Sequence, residues 1–416
     1  MFRNKAEFGT RRTDRGIDHS MPKKHQLPAG FRAAGHACGI KSDPQTLDLA
    51  LFVSDRPCAA AGVFTQNVVV GAPVHICRQR LPRETARGVV INSGNANACT
   101  GQRGLDDARS MCAKLATQID CPPEDILVCS TGVIGHFLPI DKLEAGIQAA
   151  AARLADGESA FLAAARGMMT TDTVPKQASR SIAVDSGEVT ICGACKGAAM
   201  IAPNMATMLA VVMTDARLSA ATAQTLLQNA VDHSFNRISV DQHTSTSDTV
   251  LLLANGASGV EVGGDSAPFR EALEDVCREL ALQIVRDAEG AEHFVTVNVS
   301  GAQNHEDAVR IARSVADSPL VKTAVTGNDP NWGRIVSAAG YAGVPFAESE
   351  CSLSINGHPV YQNGAPTNVE EGPSSQAMRT GEVVIELSIG SGPGACRFWT
   401  SDLTAEYVRL NSEYTT

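Results

Sequence analysis

The sequence predicts a mixed α+β fold in which layered mixed sheets pack against helices. Apolar runs typical of buried strands alternate irregularly with segments of helical periodicity, and a Ser-Gly turn joins two of the strands as a hairpin. This irregular order argues against a doubly wound parallel sheet. The chain has 416 residues and is 44% hydrophobic. It is therefore large enough for two domains or one large one, with a full core.

The individual elements follow from the periodicity of the apolar residues. Strands are predicted for residues 32–40, 47–54, 61–67, 88–91, 126–128, 181–184, 189–192, 208–213, 250–255, 294–299, 352–355, 382–389 and 395–399. Helices are predicted for residues 104–118, 140–155, 160–167, 219–233, 268–285 and 304–316. Near the end of the chain, Val408 and Leu410 alternate with Arg409, a pattern that predicts a further strand.

Charge and motif content exclude several classes of function. The chain has 35 basic and 45 acidic residues and no basic stripe with interleaved aromatics, so nucleic acid is not an expected partner. No apolar run is long enough to cross a bilayer. A Gly-x-Gly-x-x-Gly turn opening a helix is absent, as is a phosphate-binding loop, so no nucleotide cofactor is expected.

The cysteines and histidines give little indication of a metal site. Cys192 and Cys195 form one Cys-x-x-Cys pair, but a zinc ribbon needs a second pair. Redox activity of this pair stays open as the less favoured alternative to reduced thiols in a cytoplasmic protein. His243 has no partner at ligand spacing and is interpreted as a surface-loop histidine. We therefore expect no metal.

The N-terminal residues 1–26 are predicted to be a disordered extension. The segment is polar and basic, with Arg11, Arg12 and Arg15 among its charges. It lacks the apolar centre of a secretory signal. Folded structure is expected to begin at Leu27.

The Ala206-Thr207 pair stands out at mid-chain, where a turn containing Pro203-Asn204 leads into an apolar run. If the peptide bond before Thr207 were cut, the threonine hydroxyl would lie beside its own α-amine. A free α-amine titrates near ~8 and can act as the base that activates the hydroxyl. A threonine in an apolar strand is more commonly structural, so this pair alone does not identify a nucleophile.

Long motifs around this pair and along the chain carry a resemblance to a known family. They lie at residues 92–98, 130–135, 169–176, 196–197, 200–209, 214–216, 287–291, 318–324, 327–334 and 407–416. Together they resemble the ornithine acetyltransferase family, also called glutamate N-acetyltransferase, from about Leu27 to Thr416. The resemblance implies a self-processing fold similar to that of D-aminopeptidases. It also implies an acyltransferase of arginine biosynthesis that moves an acetyl group from N2-acetylornithine to glutamate.

The resemblance also implies roles for individual residues. Self-cleavage between Ala206 and Thr207 would give an α chain of residues 27–206 and a β chain of residues 207–416, which begins with the nucleophile. Thr131 and Gly132 would form the oxyanion hole, consistent with a loop that offers one hydroxyl and one N–H. The residues implied to bind substrate are Thr170, Lys196, Thr207, Glu289, Asn411 and Thr416. The family further implies a heterotetramer of two α and two β chains, with no cofactor; whether acetyl-coenzyme A serves as a co-substrate stays open.

The sequence departs from the family pattern in the loop at residues 241–248, where Gln242, His243 and Ser247 replace the expected Gly, Asp and Asn. These changes put the charge of the loop, and a left-handed turn at residue 242, in doubt. Two alternatives to the transferase stay open. One is an aminopeptidase or amidase that uses the same N-terminal nucleophile with water as acceptor, and the other is a scaffold protein with a decayed site. Trp332 is either a ligand-facing or a core residue.

Overall fold

A computed structural model describes residues 25–201, 208–367 and 371–413 of the chain. Three residues predicted to function, Ala206, Thr207 and Thr416, lie outside the described residues, as does the predicted extension up to residue 24. The architecture is mixed α+β and has two mixed sheets.

The strands and helices alternate irregularly, as the sequence predicts. The strands are β1 (Phe31–His36), β2 (Leu49–Phe64), β3 (Arg83–Asn95), β4 (Ile126–Val133), β5 (Lys176–Val184), β6 (Gly187–Lys196), β7 (Leu209–Thr214), β8 (Ile238–Ser239), β9 (Thr249–Ala254), β10 (Phe294–Gly301), β11 (Ser352–Ile355), β12 (His358–Gln362), β13 (Ala365–Pro366), β14 (Glu382–Ser388) and β15 (Gly392–Ser401). The helices are α1 (Ala72–Arg80), α2 (Gly101–Ile119), α3 (Ile140–Ala151), α4 (Glu158–Met168), α5 (Ala220–Asp232), α6 (Ala267–Arg286), α7 (His305–Asp317), α8 (Pro319–Thr326), α9 (Trp332–Gly340), α10 (Glu371–Met378) and α11 (Ala405–Glu413).

The first sheet has the strand order β4-β3-β2-β9-β7-β6-β5, with β1 paired to β2. Its centre is the parallel pair β7 and β9, in which Leu209 lies opposite Thr249. Strands β6 and β7 are antiparallel, with Lys196 opposite Leu209. The connection that contains the predicted cut therefore joins the end of β6 to the start of β7, which lie side by side. The second sheet has the order β13-β12-β11-β14-β10-β15-β8.

Three hydrophobic cores hold the layers together. One core joins a face of the first sheet to helices α1–α4, through side chains such as Phe52 and Phe161. A second core joins the opposite face to α5 and α6, and Phe294 and Trp399 of the second sheet enter it. The third core packs the second sheet against α7–α9. Helices α5 and α6 thus connect the two sheets.

Two element predictions were wrong, and each error has a local cause. The strands predicted at residues 47–54 and 61–67 are one strand, β2, which the exposed residues 55–57 interrupt. The first half of β2 pairs with β1 and the second half with β9. The predicted strand around Arg409 is the helix α11. Three alternating residues fit either period, and Arg409 reaches Glu406 and Glu413 at helical spacing.

Short elements with weak periodicity were missed, among them α1, α8–α10, β12 and β13.

The ligand-facing alternative for Trp332 is not supported. Its ring stacks on Tyr361 with centroids 5.0 Å apart, and it packs against the third core.

Redox chemistry at Cys192 and Cys195 is not supported either. Both thiols are buried in β6, and they enter opposite cores of the first sheet. Burial raises the pKa of each thiol above its usual range, whereas reactive cysteines have lowered values. All twelve cysteines are free. Within the described ranges, no group of three or more metal-ligating side chains comes together and no helix is long and apolar enough to cross a membrane.

Candidate active site

One pocket of about 230 Å³ gathers the predicted site residues that the structure describes. Its lining includes Thr131, Gly132, Thr170, Lys196, Glu289 and Asn411. These residues come from both sides of the predicted cut and are up to 280 positions apart in the chain, the difference between 411 and 131. The volume is below the roughly 300–1,000 Å³ of pockets for drug-sized ligands, so the pocket suits a small metabolite.

The end of β4 supplies the hydroxyl and the N–H of the predicted oxyanion hole. Thr131 and Gly132 lie inside the strand rather than in a loop after it, opposite Ser93 and Gly94 of β3. Gly132 has a φ of 129°. A Cβ atom at Gly132 would lie 2.3 Å from the carbonyl carbon of Gly94, so only glycine fits this close approach.

A buried charge cluster forms the wall beneath Thr170 and Lys196. Nζ of Lys176 lies 2.7 Å from Asp172 and 2.5 Å from Asp287, and all three side chains are almost fully buried. Asp172 also accepts hydrogen bonds from the N–H groups of Thr170 and Gly197, at 2.9 and 2.7 Å. The carboxyl of Asp172 therefore joins two walls of the pocket.

The pKa values of the acids and lysines in this cluster depend on one another's charges. Burial alone would raise the pKa of Asp172, but the charges of Lys196 and Lys176 outweigh burial and hold it at about 2. Burial lowers the pKa of Lys196, against the opposing charges of Asp172, Asp248 and Glu289. The sequence suggested polar ligand contacts or helix caps at residues 169–176, but it did not reveal that Asp172 and Lys176 form a buried ion pair.

Asp241 connects the loop at residues 241–248 to the segment before the predicted cut. Its carboxylate accepts the N–H groups of Met200 and Ile201 at 2.6 and 2.8 Å. It also accepts the hydroxyl of Tyr407 at 3.0 Å. Gln242 keeps a left-handed turn, with φ 64°, although glycine was expected there. His243 is exposed and lines the pocket, consistent with a surface-loop histidine.

Helix α11 closes the pocket on the side of Glu289. Asn411 donates a hydrogen bond to Oε2 of Glu289 at 3.1 Å, and the N–H of Glu289 bonds to the carbonyl of Ala198 at 2.9 Å. A Cβ atom at Gly290 would lie 2.5 Å from the nitrogen of Tyr407, so the glycine lets the helix approach. The carboxy-terminal helix thus reaches the pocket through polar contacts.

Asp248 is a buried carboxyl next to the start of β7 that the sequence did not single out. One oxygen accepts the N–H of Met208 at 3.1 Å, and the other meets no donor in the part of the chain that is described. Burial raises the pKa of Asp248 well above its usual range. This buried carboxyl therefore holds the residue that follows Thr207. Periodicity gave no signal for it.

The geometry defines a class of protein. Two hydrogen-bond donors lie at one strand end, in a pocket that also holds one lysine and one glutamate. Such a site can stabilise an oxyanion while binding a substrate that has both a carboxylate and an amine. These are the requirements of acyl transfer on an amino-acid-like substrate.

Comparison with known proteins identifies the family. The ArgJ family matches residues 32–416. A protein of Rhodopirellula baltica, the arginine biosynthesis bifunctional protein ArgJ, is 48% identical over 97% of this chain and 100% of its own length. The mitochondrial protein of the same name from Yarrowia lipolytica is 41% identical over 96% of this chain and 97% of its own length. The chain belongs to the ArgJ family, and it is an acyltransferase of arginine biosynthesis.

Solved structures of related proteins are also similar to parts of the chain. The arginine biosynthesis bifunctional protein from Bacillus halodurans is 35% identical, with a TM-score of 0.47, over 48% of this chain and 96% of that one. The ornithine acetyltransferase of Mycobacterium tuberculosis, solved in complex with ornithine, is 43% identical, with a TM-score of 0.40. That similarity covers 42% of this chain and 93% of the other.

Proposed function

We propose that this chain transfers an acetyl group from N2-acetylornithine to glutamate through an acetyl ester on Thr207, after self-cleavage between Ala206 and Thr207. The observation that carries the proposal is the pocket itself. Six residues to which the family resemblance assigns roles line one small cavity. The name of the relative in Rhodopirellula, an arginine biosynthesis bifunctional protein, supports a reaction of that pathway.

In the proposed first half-reaction, Oγ of Thr207 attacks the acetamide carbonyl carbon and its own α-amine takes the hydroxyl proton. The hydroxyl of Thr131 and the N–H of Gly132 stabilise the oxyanion. The bond between the carbonyl carbon and the ornithine nitrogen then breaks, and the proton passes from the Thr207 amine to the leaving amine. In the second half-reaction, the amine of glutamate attacks the ester carbon and the bond from that carbon to the Thr207 oxygen breaks. The α-amine of Thr207 passes the proton from the attacking nitrogen to this oxygen, which restores the hydroxyl.

Opposite charges in the pocket account for substrate binding in this proposal. Lys196 pairs with the α-carboxylate that both substrates carry, and Glu289 pairs with the ammonium of the ornithine side chain. Asn411 holds the Glu289 carboxylate from the far side. Thr170 is placed by Asp172, which ties it to the Lys196 segment. Thr416 remains a proposed substrate contact on the strength of the resemblance alone.

The sheet topology supports a cleaved protein whose two chains stay together. Strands β7 and β9, which follow Thr207, lie between β2 and β6, which precede it. The β2–β9 and β6–β7 ladders would both have to break before the α and β chains could separate. His25, within the extension predicted at residues 1–26, contacts this unit, since its Nδ1 lies 3.0 Å from the hydroxyl of Ser179. The proposed assembly is a heterotetramer of two α and two β chains, and the free cysteines support a reducing compartment such as the cytoplasm.

A pair of assays tests this function. Purified protein is given glutamate with either N2-acetylornithine or acetyl-coenzyme A, and N-acetylglutamate is measured. We expect product from the first pair, while the second pair shows whether acetyl-coenzyme A also donates. Thr207→Ala should remain uncleaved and lose at least about 10⁴-fold in kcat, as other enzymes do without their nucleophile. Thr225→Ala, which changes an exposed threonine on α5, is the matched control. Acetate release without N-acetylglutamate would instead identify an amidase.

A further inference from the structure

A second cavity of about 820 Å³ lies between the end of β2, α5 and the start of α7. It shares no lining residue with the candidate active site. Its lining is rich in basic side chains, which are the arginines Arg78, Arg237, Arg310 and Arg313 and the histidines His233 and His305. The chain as a whole has a net charge of −10, so this concentration of positive charge is unusual for the molecule.

Arg237 is a buried guanidinium whose partners are all uncharged or basic. It is 8% exposed. Its nitrogens reach the carbonyl of Asp232 at 2.8 Å, the thiol of Cys396 at 3.1 Å and the ring of His305 at 2.7 Å. A buried charge is normally paired with an opposite charge or a ligand, and none of these three partners is a carboxylate.

Arg313 brings a second guanidinium to the same cavity. Its Nε is fully buried and meets no hydrogen-bond acceptor among the residues that the structure describes. Burial lowers the pKa of Arg313; the charge of Asp317 opposes this shift and the charge of Arg237 adds to it. Two neighbouring guanidiniums repel each other, and Asp317 offsets only part of this cost, because the pKa of Arg313 stays lowered. An anion between the two arginines would offset more of it.

The carboxylates at the rim do not neutralise the two arginines. Oδ1 of Asp232 accepts hydrogen bonds from Asn236 at 2.7 Å and from Gln228 at 3.2 Å. Glu306 is exposed in the first turn of α7. Arg310, in contrast, lies 3.6 Å from Asp307 and is already paired. The excess positive charge is therefore centred on Arg237 and Arg313.

We propose that this cavity is a binding site for a small anion carrying carboxylate or phosphate groups, held between Arg237 and Arg313. The planar guanidinium presents parallel N–H donors that match both groups, and the volume accommodates a molecule larger than a single ion. His305 accepts a hydrogen bond from Arg237 through Nε2 and donates one from Nδ1 to the carbonyl of Ala395, so this ring orients Arg237. The ring of His233 lies 6.5 Å from that of His305 at the rim.

The anion site adjoins the segment that shapes the candidate active site. Arg237 is followed directly by β8, and Asp241 is four residues further along the chain. Helix α7 carries Arg313 and, one turn later, Asp317. The carboxylate of Asp317 accepts a hydrogen bond from Ser239, and its backbone carbonyl accepts one from Gln242. The anion site and the active-site loop are therefore connected through Asp317.

Calorimetric titration of the purified protein with inorganic phosphate, and separately with citrate, tests the proposal. We expect saturable one-to-one binding of at least one probe, and the stronger of the two shows whether phosphate or carboxylate chemistry is preferred. Arg313→Gln should weaken binding by about ten- to a hundredfold, as expected for a lost charged hydrogen bond. Arg313→Lys, which keeps the charge but loses the fork, should have a smaller effect.

The control is Arg109→Gln, which removes an exposed arginine paired with Asp106 on α2 and should leave binding unchanged. Replacing Arg313 breaks no hydrogen bond of Nε to the described residues. A melting temperature equal to that of the wild type would show that the Arg313→Gln variant is folded. Failure of both probes to saturate, or equal binding by wild type and Arg313→Gln, would overturn the proposal. Neither result depends on acetyl transfer, so the proposed function is tested separately.

Discussion

The two sheets of the molecule differ in where their strands come from and in what is buried beside them. The first sheet combines strands from before and after Thr207, and it carries the candidate active site. The second sheet, which consists of β8 and β10–β15, is built entirely from residues after that position. If the chain is cleaved as we propose, the first sheet is an interface between two chains, while the second belongs to one.

The side chains buried beside the two sheets also differ. Beside the first sheet, Lys176, Asp172 and Asp287 form a buried ionic cluster. The third core, beside the second sheet, is packed from apolar side chains and the stacked rings of Trp332 and Tyr361. Ionisable groups are also buried at the end of the β10–β15 ladder, where His293 lies 2.7 Å from Asp402. Buried ions give little net stability but are costly to leave unpaired. The ionic cluster beside the first sheet adjoins the pocket, whereas the third core of the second sheet is apolar, so the buried side chains of these two regions contribute differently.

The largest effect is expected from Lys176→Met. The change leaves the Asp172 and Asp287 carboxylates buried without their cation, which should lower the free energy of unfolding by about 3–5 kcal/mol. Glu382→Gln, which breaks an exposed pair with Arg286 at the start of β14 in the second sheet, should cost less than about 1 kcal/mol. Urea titrations of both variants provide the measurement. Similar losses in the two would contradict the distinction between the sheets.

Thr131→Ala tests the chemistry that the first sheet supports. Removing one oxyanion donor should lower kcat by roughly 10²–10³ while changing KM much less. Thr131→Ser keeps the hydroxyl and should retain most of the activity. Steady-state kinetics with N2-acetylornithine distinguish these outcomes, and an unchanged kcat in the alanine variant would remove Thr131 from the site.

The contact between α11 and Glu289 should affect binding rather than cleavage. Asn411→Ala removes a hydrogen bond to a carboxylate and should raise KM for N2-acetylornithine by roughly tenfold. Deleting residues 414–416 should act in the same direction. Both variants should still be cut, because cleavage needs only Thr207 and nearby donors. Ser412→Ala, on the same helix, is the control and should match wild type. Wild-type kinetic constants in both Asn411→Ala and the deletion variant would show that the carboxy terminus does not contribute to substrate binding.

A smaller, pH-dependent effect is expected from Asp248→Asn. Because the folded-state pKa of this acid is raised, its neutral form favours folding at low pH, and that contribution is lost as pH rises above its ordinary value of 3.8. The amide cannot ionise. The variant should therefore gain stability relative to wild type as pH rises, by up to about 1.4 kcal/mol per pH unit. Parallel pH dependence of the two melting temperatures would show that Asp248 is ionised in the folded protein.

Sequence periodicity predicted most of the long elements, because strands such as β9 and helices such as α6 bury a regular set of side chains. It failed where a pattern was too short, as at α11, or where one strand changes partners, as in β2. The resemblance located the pocket residues. It did not reveal Asp172, Asp241 or Asp248, whose importance depends on contacts between segments distant in the sequence. Local patterns carry no information about such contacts.

Intact-mass analysis of the purified protein, before and after incubation with N2-acetylornithine alone, tests the central proposal most directly. The account predicts two chains that co-elute under native conditions, the second beginning at Thr207. It also predicts that this second chain gains the mass of one acetyl group, located on Thr207, and loses it when glutamate is added. A single uncut chain with full activity, or an acetyl group on another residue, would contradict the account.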